Sequence, residues 1–185
     1  MNIASPRAAT QATFAPPRVE MESDTACASA GQFITCTLDA AEYGIDIMAV
    51  REIKGWAATT AIPHAPAWIR GVINLRGVIV PILDLRARFG MPLTQPTRMH
   101  VVVIIQSGSR TAGLLVDAVS DIISVASGEI RPVPEVGAAA PERLLCGLVP
   151  RERGMVALVS LESLLTFNDD ALVAAAGADA TPLHS

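Results

Sequence analysis

The sequence predicts a mostly β protein made of two small closed β-barrels, and three observations lead to this prediction. Aromatic residues make up only 4% of a chain that is 51% hydrophobic. The core must therefore be built mainly from aliphatic side chains, whose β-branched members favour strands. The apolar residues occur in short runs of strand length. The order of these runs in the first half of the chain returns in the second half.

Five short strands are predicted in the first half. Two alternating runs on either side of a turn at residues 39–42 predict a hairpin with one buried face. A later pair of apolar runs flanks a tight connection at residues 74–77. Asp84 can then cap a short helical turn, 85–89, which ends at Gly90 because glycine tolerates a left-handed conformation. The predicted strands are residues 33–38, 43–47, 50–56, 69–73 and 78–83.

A duplication is the strongest inference that the pattern alone supports. Gly44-Ile-Asp-Ile-Met-Ala-Val50-Arg-Glu-Ile53 matches residues 113–122 in register, and Gly71-Val72 leading to Arg76-Gly77 is echoed by Gly147-Leu148 leading to Arg153-Gly154. Five strands in each unit suit a closed barrel, which leaves no exposed sheet edges. Chance similarity between Val-rich strands is the alternative.

The predicted organisation has a leader, two barrels and a tail. Residues 1–30 contain prolines and no periodicity, so we expect them to be disordered. The first barrel is expected at about 31–92 and the second at about 97–166, with the chain free to cross between them. In the tail, 167–185, Asn168 and Asp169 can begin a helix through residues 171–176.

Composition excludes several classes of partner and compartment. A net charge of -4 argues against a surface that follows phosphates, so no nucleic acid is expected as a partner. No apolar stretch approaches the roughly 18 to 20 residues that span a bilayer, so we expect no membrane insertion. The N-terminal residues lack the pattern of a secretory signal, and the cytoplasm is the expected compartment. Cys36 and Cys146 are expected as buried packing residues, with Cys27 incidental.

The search for reactive residues gives no catalytic candidate. The three histidines lack metal-ligand spacing, and none of the common nucleophile, metal or phosphate motifs occurs. Asp84 could act as an acid beside an apolar strand, but capping the next turn explains it more simply. Asp117 and Asp121 are expected as polar positions on an exposed strand face. The sequence therefore predicts no enzyme, with no catalytic residue, metal site or cofactor.

One segment carries a specific family resemblance. Residues 65–86 read Ala-Pro-Ala-Trp-Ile-Arg-Gly-Val-Ile-Asn-Leu-Arg-Gly-Val-Ile-Val-Pro-Ile-Leu-Asp-Leu-Arg, and this segment closely resembles the signature of the CheW family of chemotaxis coupling proteins. Matching segments accompany it in the same order at residues 43–47, 50–53, 113–117, 119–122 and 130–134. The resemblance covers about residues 31–166.

The resemblance implies a fold and a function. The implied fold is a pair of SH3-like five-stranded β-barrels packed together, with short helices and a groove for the receptor. The implied function is that of a non-catalytic adaptor between the cytoplasmic tip of chemoreceptors, the methyl-accepting chemotaxis proteins, and the regulatory domain of the histidine kinase CheA. Such an adaptor is recruited to membrane-associated receptor arrays. A chemosensory pathway with an output other than swimming is the alternative, and residues 45–48 and 114–116 are expected to line the groove.

The resemblance also suggests which residues bind the receptor and the kinase. Val50, Glu52 and Arg76 match family positions placed for receptor coupling, and an ion pair between Glu52 and Arg76 is our hypothesis. The full set of expected binding residues is Ile47, Val50, Glu52, Asn74, Leu75 and Arg76. The alternative for Arg76 is that it only closes a turn beside Gly77, which the Arg153-Gly154 echo supports.

Overall fold

Two five-stranded sheets make up most of the structure, a computed structural model that describes residues 30–134, 143–152 and 154–166. Sheet I has the strand order β8-β1-β2-β10-β9, and sheet II has the order β3-β6-β7-β5-β4. The strands are β1 Gly31–Leu38, β2 Ala41–Asp46, β3 Val50–Gly55, β4 Ile69–Leu75, β5 Val78–Asp84, β6 Val101–Ser107, β7 Arg110–Val116, β8 Ala118–Val125, β9 Leu145–Arg151 and β10 Gly154–Val159. The helices are α1 Leu85–Arg88 and α2 Leu161–Leu165, with 3-10 turns at Ile47–Ala49 and Ser127–Glu129. The prediction of a mostly β protein is confirmed.

The predicted leader and the predicted helix at 171–176 lie outside the described residues. Among the described residues, the short helix after Asp84 is confirmed. The Asp84 carboxylate accepts the backbone N–H of Ala87 at 3.3 Å, and Gly90 follows the helix with a φ of 79°. Helix α2, which Ser160 caps through the N–H of Ser163, was not predicted.

The two sheets do not correspond to the two halves of the chain. After β1 and β2 in sheet I, the chain crosses at Ile47–Ala49 into sheet II and forms β3 to β7 there. It crosses back at Asp117 and completes sheet I with β8, β9 and β10. The linker near residues 92–97 joins two strands of the same sheet, β5 and β6. Each barrel is therefore made of strands from both halves.

The duplication is confirmed by the strand order. Exchanging β1 to β5 with β6 to β10 turns the order of sheet I into that of sheet II. Gly71 pairs with Ile82 in one unit, and Gly147 pairs with Leu158 in the other. The Arg76-Gly77 and Arg153-Gly154 pairs, in contrast, do not occupy equivalent positions in the two units. Gly77 lies in the turn between the paired residues Leu75 and Val78, whereas Gly154 is a strand residue paired with Arg151.

Three apolar clusters explain why most central strands are buried on both faces. The largest cluster lies between the sheets and contains residues of both, such as Ile34 and Leu114. Each sheet also curls around a smaller cluster of its own, built on Phe33 in sheet I and on Ile82 in sheet II. The expectation that the first hairpin has one buried face is therefore wrong. Phe33 and Ile34 point to opposite faces, as neighbours in a strand do, and both faces are covered.

Each barrel is closed by the segment that follows the third strand of one repeat, β3 or β8. After β3, Thr60 and Val72 exchange backbone N–H···O hydrogen bonds of 2.8 and 2.9 Å. After β8, Arg131 and Leu148 do the same at 2.8 and 2.9 Å. These bridges satisfy backbone groups of β4 and β9 that an open sheet edge would leave unpaired. The same closure occurs at equivalent places in the two units.

Candidate partner-binding site

Three of the six expected binding residues, Asn74, Leu75 and Arg76, belong to the hairpin that joins β4 and β5, and a fourth, Glu52 on β3, contacts it. Arg76 and Gly77 form its two-residue turn with φ values of 53° and 88°, both in the left-handed region that a tight hairpin requires. The Asn74 side-chain oxygen accepts the N–H of Gly77 at 2.8 Å and so stabilises the turn. Leu75 is half-buried against the core of sheet II. Asn74 and Leu75 therefore have local structural roles, which leaves Arg76 as the outward-facing residue.

The hypothesised ion pair between Glu52 and Arg76 is confirmed. Arg76 Nη2 lies 3.4 Å from Glu52 Oε2, and the Arg76 side chain is 85% exposed against 32% for Glu52. The pair joins β3 to the β4–β5 turn, the two edges of sheet II that meet when the barrel closes. An exposed pair of this kind contributes about 0 to 1 kcal/mol to folding. Its guanidinium is thus free to exchange Glu52 for a partner group at little cost to the fold.

The other two expected residues lie where the chain enters sheet II. Asp46 Oδ1 accepts the N–H of Met48 at 2.9 Å and begins the 3-10 turn that contains Ile47. Val50 starts β3 and packs against the cluster between the sheets. Both side chains are half-buried, so only part of each is accessible. Met48, which was expected in a groove wall with residues 45–47, is 81% exposed at this crossover.

The sequence analysis missed four exposed residues at the end of sheet II that carries the Arg76 turn. Arg51 Nε donates to Gln106 Oε1 at 2.9 Å, which places Arg51 against the β6–β7 turn where Arg110 begins β7. Val78 and Ile79, at the start of β5, are 57% and 61% exposed. We call this end of sheet II the arginine rim; it consists of Arg51, Arg76, Val78, Ile79 and Arg110. A continuous apolar run gives no signal that the side chains of its first residues stay exposed in the folded sheet.

The expected groove walls are mostly core. Ile45, Leu114, Leu115 and Val116 are at most 1% exposed, so they cannot line a surface groove. The reason is the position of β2 and β7 in the middle of their sheets, between the apolar clusters. Alternation along a strand assigns side chains to faces, but it does not show whether a face is covered.

Charge is divided unequally between the sheets. Residues 50–116, which form sheet II, carry eight Lys and Arg side chains and two acidic ones. The other described residues, which form sheet I, carry three Arg and eight acidic side chains. A chain with a net charge of -4 thus contains one basic and one acidic barrel. The uneven distribution makes the barrel of sheet II more suitable than that of sheet I for an acidic partner surface.

Asp117 ties the two sheets together. Its Oδ2 lies 3.2 Å from Arg86 Nη1 on α1 and accepts the N–H of Asp39, in the β1–β2 turn, at 2.7 Å. His100 Nε2 lies 3.7 Å from Oδ1. The carboxylate is 23% exposed and belongs to the second crossover, so the expectation of an exposed strand position is wrong for Asp117. Asp121 is exposed on β8 as expected.

The remaining polar groups of interest have structural partners. Asp84 is fully buried and accepts hydrogen bonds of 2.8 Å from the N–H and the hydroxyl of Thr94, in addition to its role as a cap. Cys36 is fully buried as expected, and burial, with a smaller effect of the Asp117 charge, raises the pKa of its thiol to about 12. These two groups stabilise the fold and face no cleft.

One arrangement resembles a catalytic triad only in its order. Thr97 Oγ1 lies 3.0 Å from His100 Nδ1, and Asp117 lies beyond Nε2. The Nδ1 lone pair already accepts the backbone N–H of Thr97 at 3.0 Å, so it is not free to take a proton from the hydroxyl. In the described part of the chain, no three His, Cys, Asp or Glu side chains are grouped as metal ligands. Within the same residues, no helix has the length and hydropathy needed to cross a bilayer.

Comparison with known proteins identifies the family that the chain resembles. The family model of the CheW-like domain matches residues 32–168. The chain is 47% identical to the chemotaxis protein CheW of Rhizobium meliloti over 123 residues, which are 66% of this chain and 79% of that protein. It is 42% identical to the chemotaxis protein CheW of Klebsiella aerogenes over 142 residues, 77% of this chain and 86% of that protein. The crystal structure of the scaffolding protein TtCheW from Thermoanaerobacter tengcongensis superposes with a TM-score of 0.69 at 31% identity, covering 75% of this chain and 94% of that one.

Proposed function

The chain belongs to the CheW-like domain family, and from this premise we propose that it couples the cytoplasmic tip of chemoreceptors to the regulatory domain of the histidine kinase CheA. It is a chemotaxis scaffold protein that acts in signal transduction. The proposal adds the identity of the two partners and a place in the cytoplasm at membrane-associated receptor arrays. The alternative of a pathway with another output is not favoured, because the relatives with high identity are chemotaxis proteins.

The observation that carries the proposal is the position of Arg76. Its side chain is 85% exposed at the tip of a rigid two-residue turn and pairs with Glu52 at 3.4 Å. A guanidinium held in this way offers several donors to a partner carboxylate without a cost in ordering the backbone. Val78 and Ile79 beside it supply the apolar area that a polar contact alone lacks. A charged residue beside an exposed apolar patch is the usual composition of a protein interface.

The six expected binding residues divide into two roles under this proposal. Arg76 and Glu52 contact the partner directly, while Asn74 and Leu75 hold the turn in its conformation. Ile47 and Val50 contribute the exposed parts of their side chains at the crossover beside β3. No chemical step is assigned to this surface, and the protein acts by holding its partners in place.

A binding comparison tests the proposal. Purified receptor cytoplasmic fragment and CheA regulatory domain are titrated separately with the wild type, Arg76→Ala and Arg98→Ala. Arg98 is an exposed arginine outside the arginine rim, so it serves as a matched control for the loss of one positive charge. We expect Arg76→Ala to weaken binding of at least one partner by about 1 to 3 kcal/mol in binding free energy, as for the loss of a charged interface residue. Equal affinities for the three proteins would contradict the proposed role of Arg76, and no binding of either partner by the wild type would contradict the function.

A further inference from the structure

The arginine rim combines positive charge with exposed apolar surface. Arg51, Arg76 and Arg110 are all exposed, and Arg76 pairs with Glu52. Val78 and Ile79 lie next to the Arg76 turn. In the register that pairs Ile82 with Gly113, Ile79 and Arg110 occupy corresponding positions three residues earlier in the neighbouring strands β5 and β7. The rim therefore fits a segment with acidic and aliphatic residues.

The chain leaves the described residues at this rim. Arg110 Nη1 donates to the carbonyl oxygen of Leu165 at 2.7 Å, at the end of α2. Arg51 contacts Gln106, whose side chain in turn donates to the carbonyl oxygen of Gly108 in the same β6–β7 turn. Thr166 is the last residue described before the C-terminal segment, 167–185. The C-terminal segment thus begins two residues after Leu165, which a rim arginine holds.

The C-terminal segment has the composition that the rim would select. Its nineteen residues include Asp169, Asp170 and Asp179 and no Lys or Arg. Between the first two of these and the third lies an aliphatic run, residues 171–176, of sequence Ala-Leu-Val-Ala-Ala-Ala. Nineteen residues reach about 60 Å when extended, which exceeds what is needed to cover one end of a small barrel. Neither its charge nor its apolar run has a use in the partner site described above.

We propose that residues 167–185 dock on the arginine rim of their own chain, with the aspartates on the arginines and the aliphatic run on Val78 and Ile79. A covalently attached segment is present at an effective concentration in the millimolar range, so contacts too weak to join separate molecules are enough to hold it. A second copy of the chain could also offer acidic groups, Asp39 and Glu42 at the equivalent end of sheet I. The attached segment has the advantage of its tether at every protein concentration.

Docking at this place covers Arg76 and so competes with partner binding. This consequence rests on the proposed function, because it requires that the same rim receives the receptor or the kinase. The docking itself does not depend on that function. The contacts are between exposed charges, so they weaken as the screening length falls from about 10 Å at 0.1 M salt to about 3 Å at 1 M. High salt should therefore release the segment and expose the rim.

A cross-linking experiment tests the docking on the full chain. Lys54 is the single lysine of the sequence, so Arg76→Lys and Arg51→Lys each place one new amine at the rim. A zero-length carbodiimide reagent joins this amine to a carboxylate in contact, and mass spectrometry of the digest identifies the pair. Cross-linking of Arg76→Lys to Glu52 shows that the new amine reacts. Arg98→Lys is the matched control away from the rim, and equal mixing of 14N and 15N chains separates products within one chain from products between chains.

We expect both rim variants to form products with Asp169, Asp170 or Asp179 within one chain. These products should be several-fold more abundant than with Arg98→Lys, and should disappear in 1 M salt. Products no more abundant than in the control, or formed only between chains, would overturn the inference. Binding of receptor fragment and CheA domain by a full chain with the three aspartates changed to asparagine is measured alongside, and we expect it to be tighter than for the wild type. If the cross-links do not form but the partners still bind, the docking alone is refuted. If the cross-links form but no variant binds either partner, the proposed function alone is refuted.

Discussion

Arg76→Ala should separate partner binding from folding, because the structure gives this side chain almost no share in the core. The side chain is 85% exposed, so its removal uncovers little apolar area, and the interaction lost is the 3.4 Å pair with Glu52. Such a pair contributes about 0 to 1 kcal/mol. Both arginine and alanine carry a Cβ, so the cost of the left-handed φ of 53° is the same in the two proteins. The free energy of unfolding should fall by less than about 1 kcal/mol, which lowers Tm by no more than about 2 to 4 °C.

Thermal unfolding followed by circular dichroism measures this change, and binding is titrated on the same samples. Arg76→Asn is the matched variant, because asparagine also lacks the ion pair but adopts the left-handed conformation more readily. We expect it to be at least as stable as Arg76→Ala and equally weak in binding. A loss of more than about 2 kcal/mol in Arg76→Ala would show that Arg76 anchors the closed barrel. That result would make any loss of binding an effect of the fold and would refute the assignment of Arg76 to the interface.

Three further predictions concern the fold that positions this surface. A Cβ on Gly113 would lie 2.5 Å from Ile82 Cδ1 and 2.8 Å from Val102 Cγ1, so Gly113→Ala should lower the free energy of unfolding in urea by about 1 to 3 kcal/mol. An unchanged urea midpoint would contradict the close packing of β5 on β7. Burial raises the pKa of the Cys36 thiol from 9.0 to about 12, so between about pH 9 and 12 the thiol ionises in the unfolded chain first, and the free energy of unfolding should fall as pH rises. The fall should be less steep in Cys36→Ala, and parallel pH profiles of the two proteins would refute this linkage. Asp117→Asn removes the charge that pairs with Arg86 and should lower the free energy of unfolding by about 1 to 3 kcal/mol. Met48 is 81% exposed at the other crossover, so Met48→Gln should stay within about 0.5 kcal/mol of the wild type. Equal urea midpoints for these two variants would show that the Asp117 contacts do not anchor the sheets.

The strands and the turn at Arg76 could be predicted from local pattern because both depend on neighbours in sequence. Runs of aliphatic residues of strand length need only a covered face, and the Asn74 side chain needs only the backbone N–H of Gly77, three residues later, to stabilise the turn. The ion pair with Glu52 was reached through the family resemblance, since 24 residues separate the two side chains. Spacing along the chain carries no information on that contact.

The pairing of strands between the halves could not be predicted in the same way. The two units have the same sequence pattern, so the sequence gives no reason for β8, and not β3, to be the strand that pairs with β1 at the edge of sheet I. The choice depends on where the chain crosses, which is set by short segments at Ile47–Ala49 and Asp117. Likewise, the exposure of Val78 and Ile79 depends on which faces at this end of sheet II are left uncovered by other elements. Such features follow from the three-dimensional arrangement and leave no periodic signal.

The duplication repeats the backbone, but the two barrels differ in their exposed side chains. Met48 and Asp117 occupy matching positions in the repeat, yet Met48 is exposed beside β3 while Asp117 binds Arg86 and the backbone of Asp39. The same divergence occurs in charge, because the strands of sheet II are basic and those of sheet I acidic. Since the core requires only aliphatic residues at repeated positions, exposed side chains are free to differ without a change of fold. A protein that holds partners together benefits from this freedom, because one backbone design then presents two surfaces of opposite charge that cannot bind the same partner equally well.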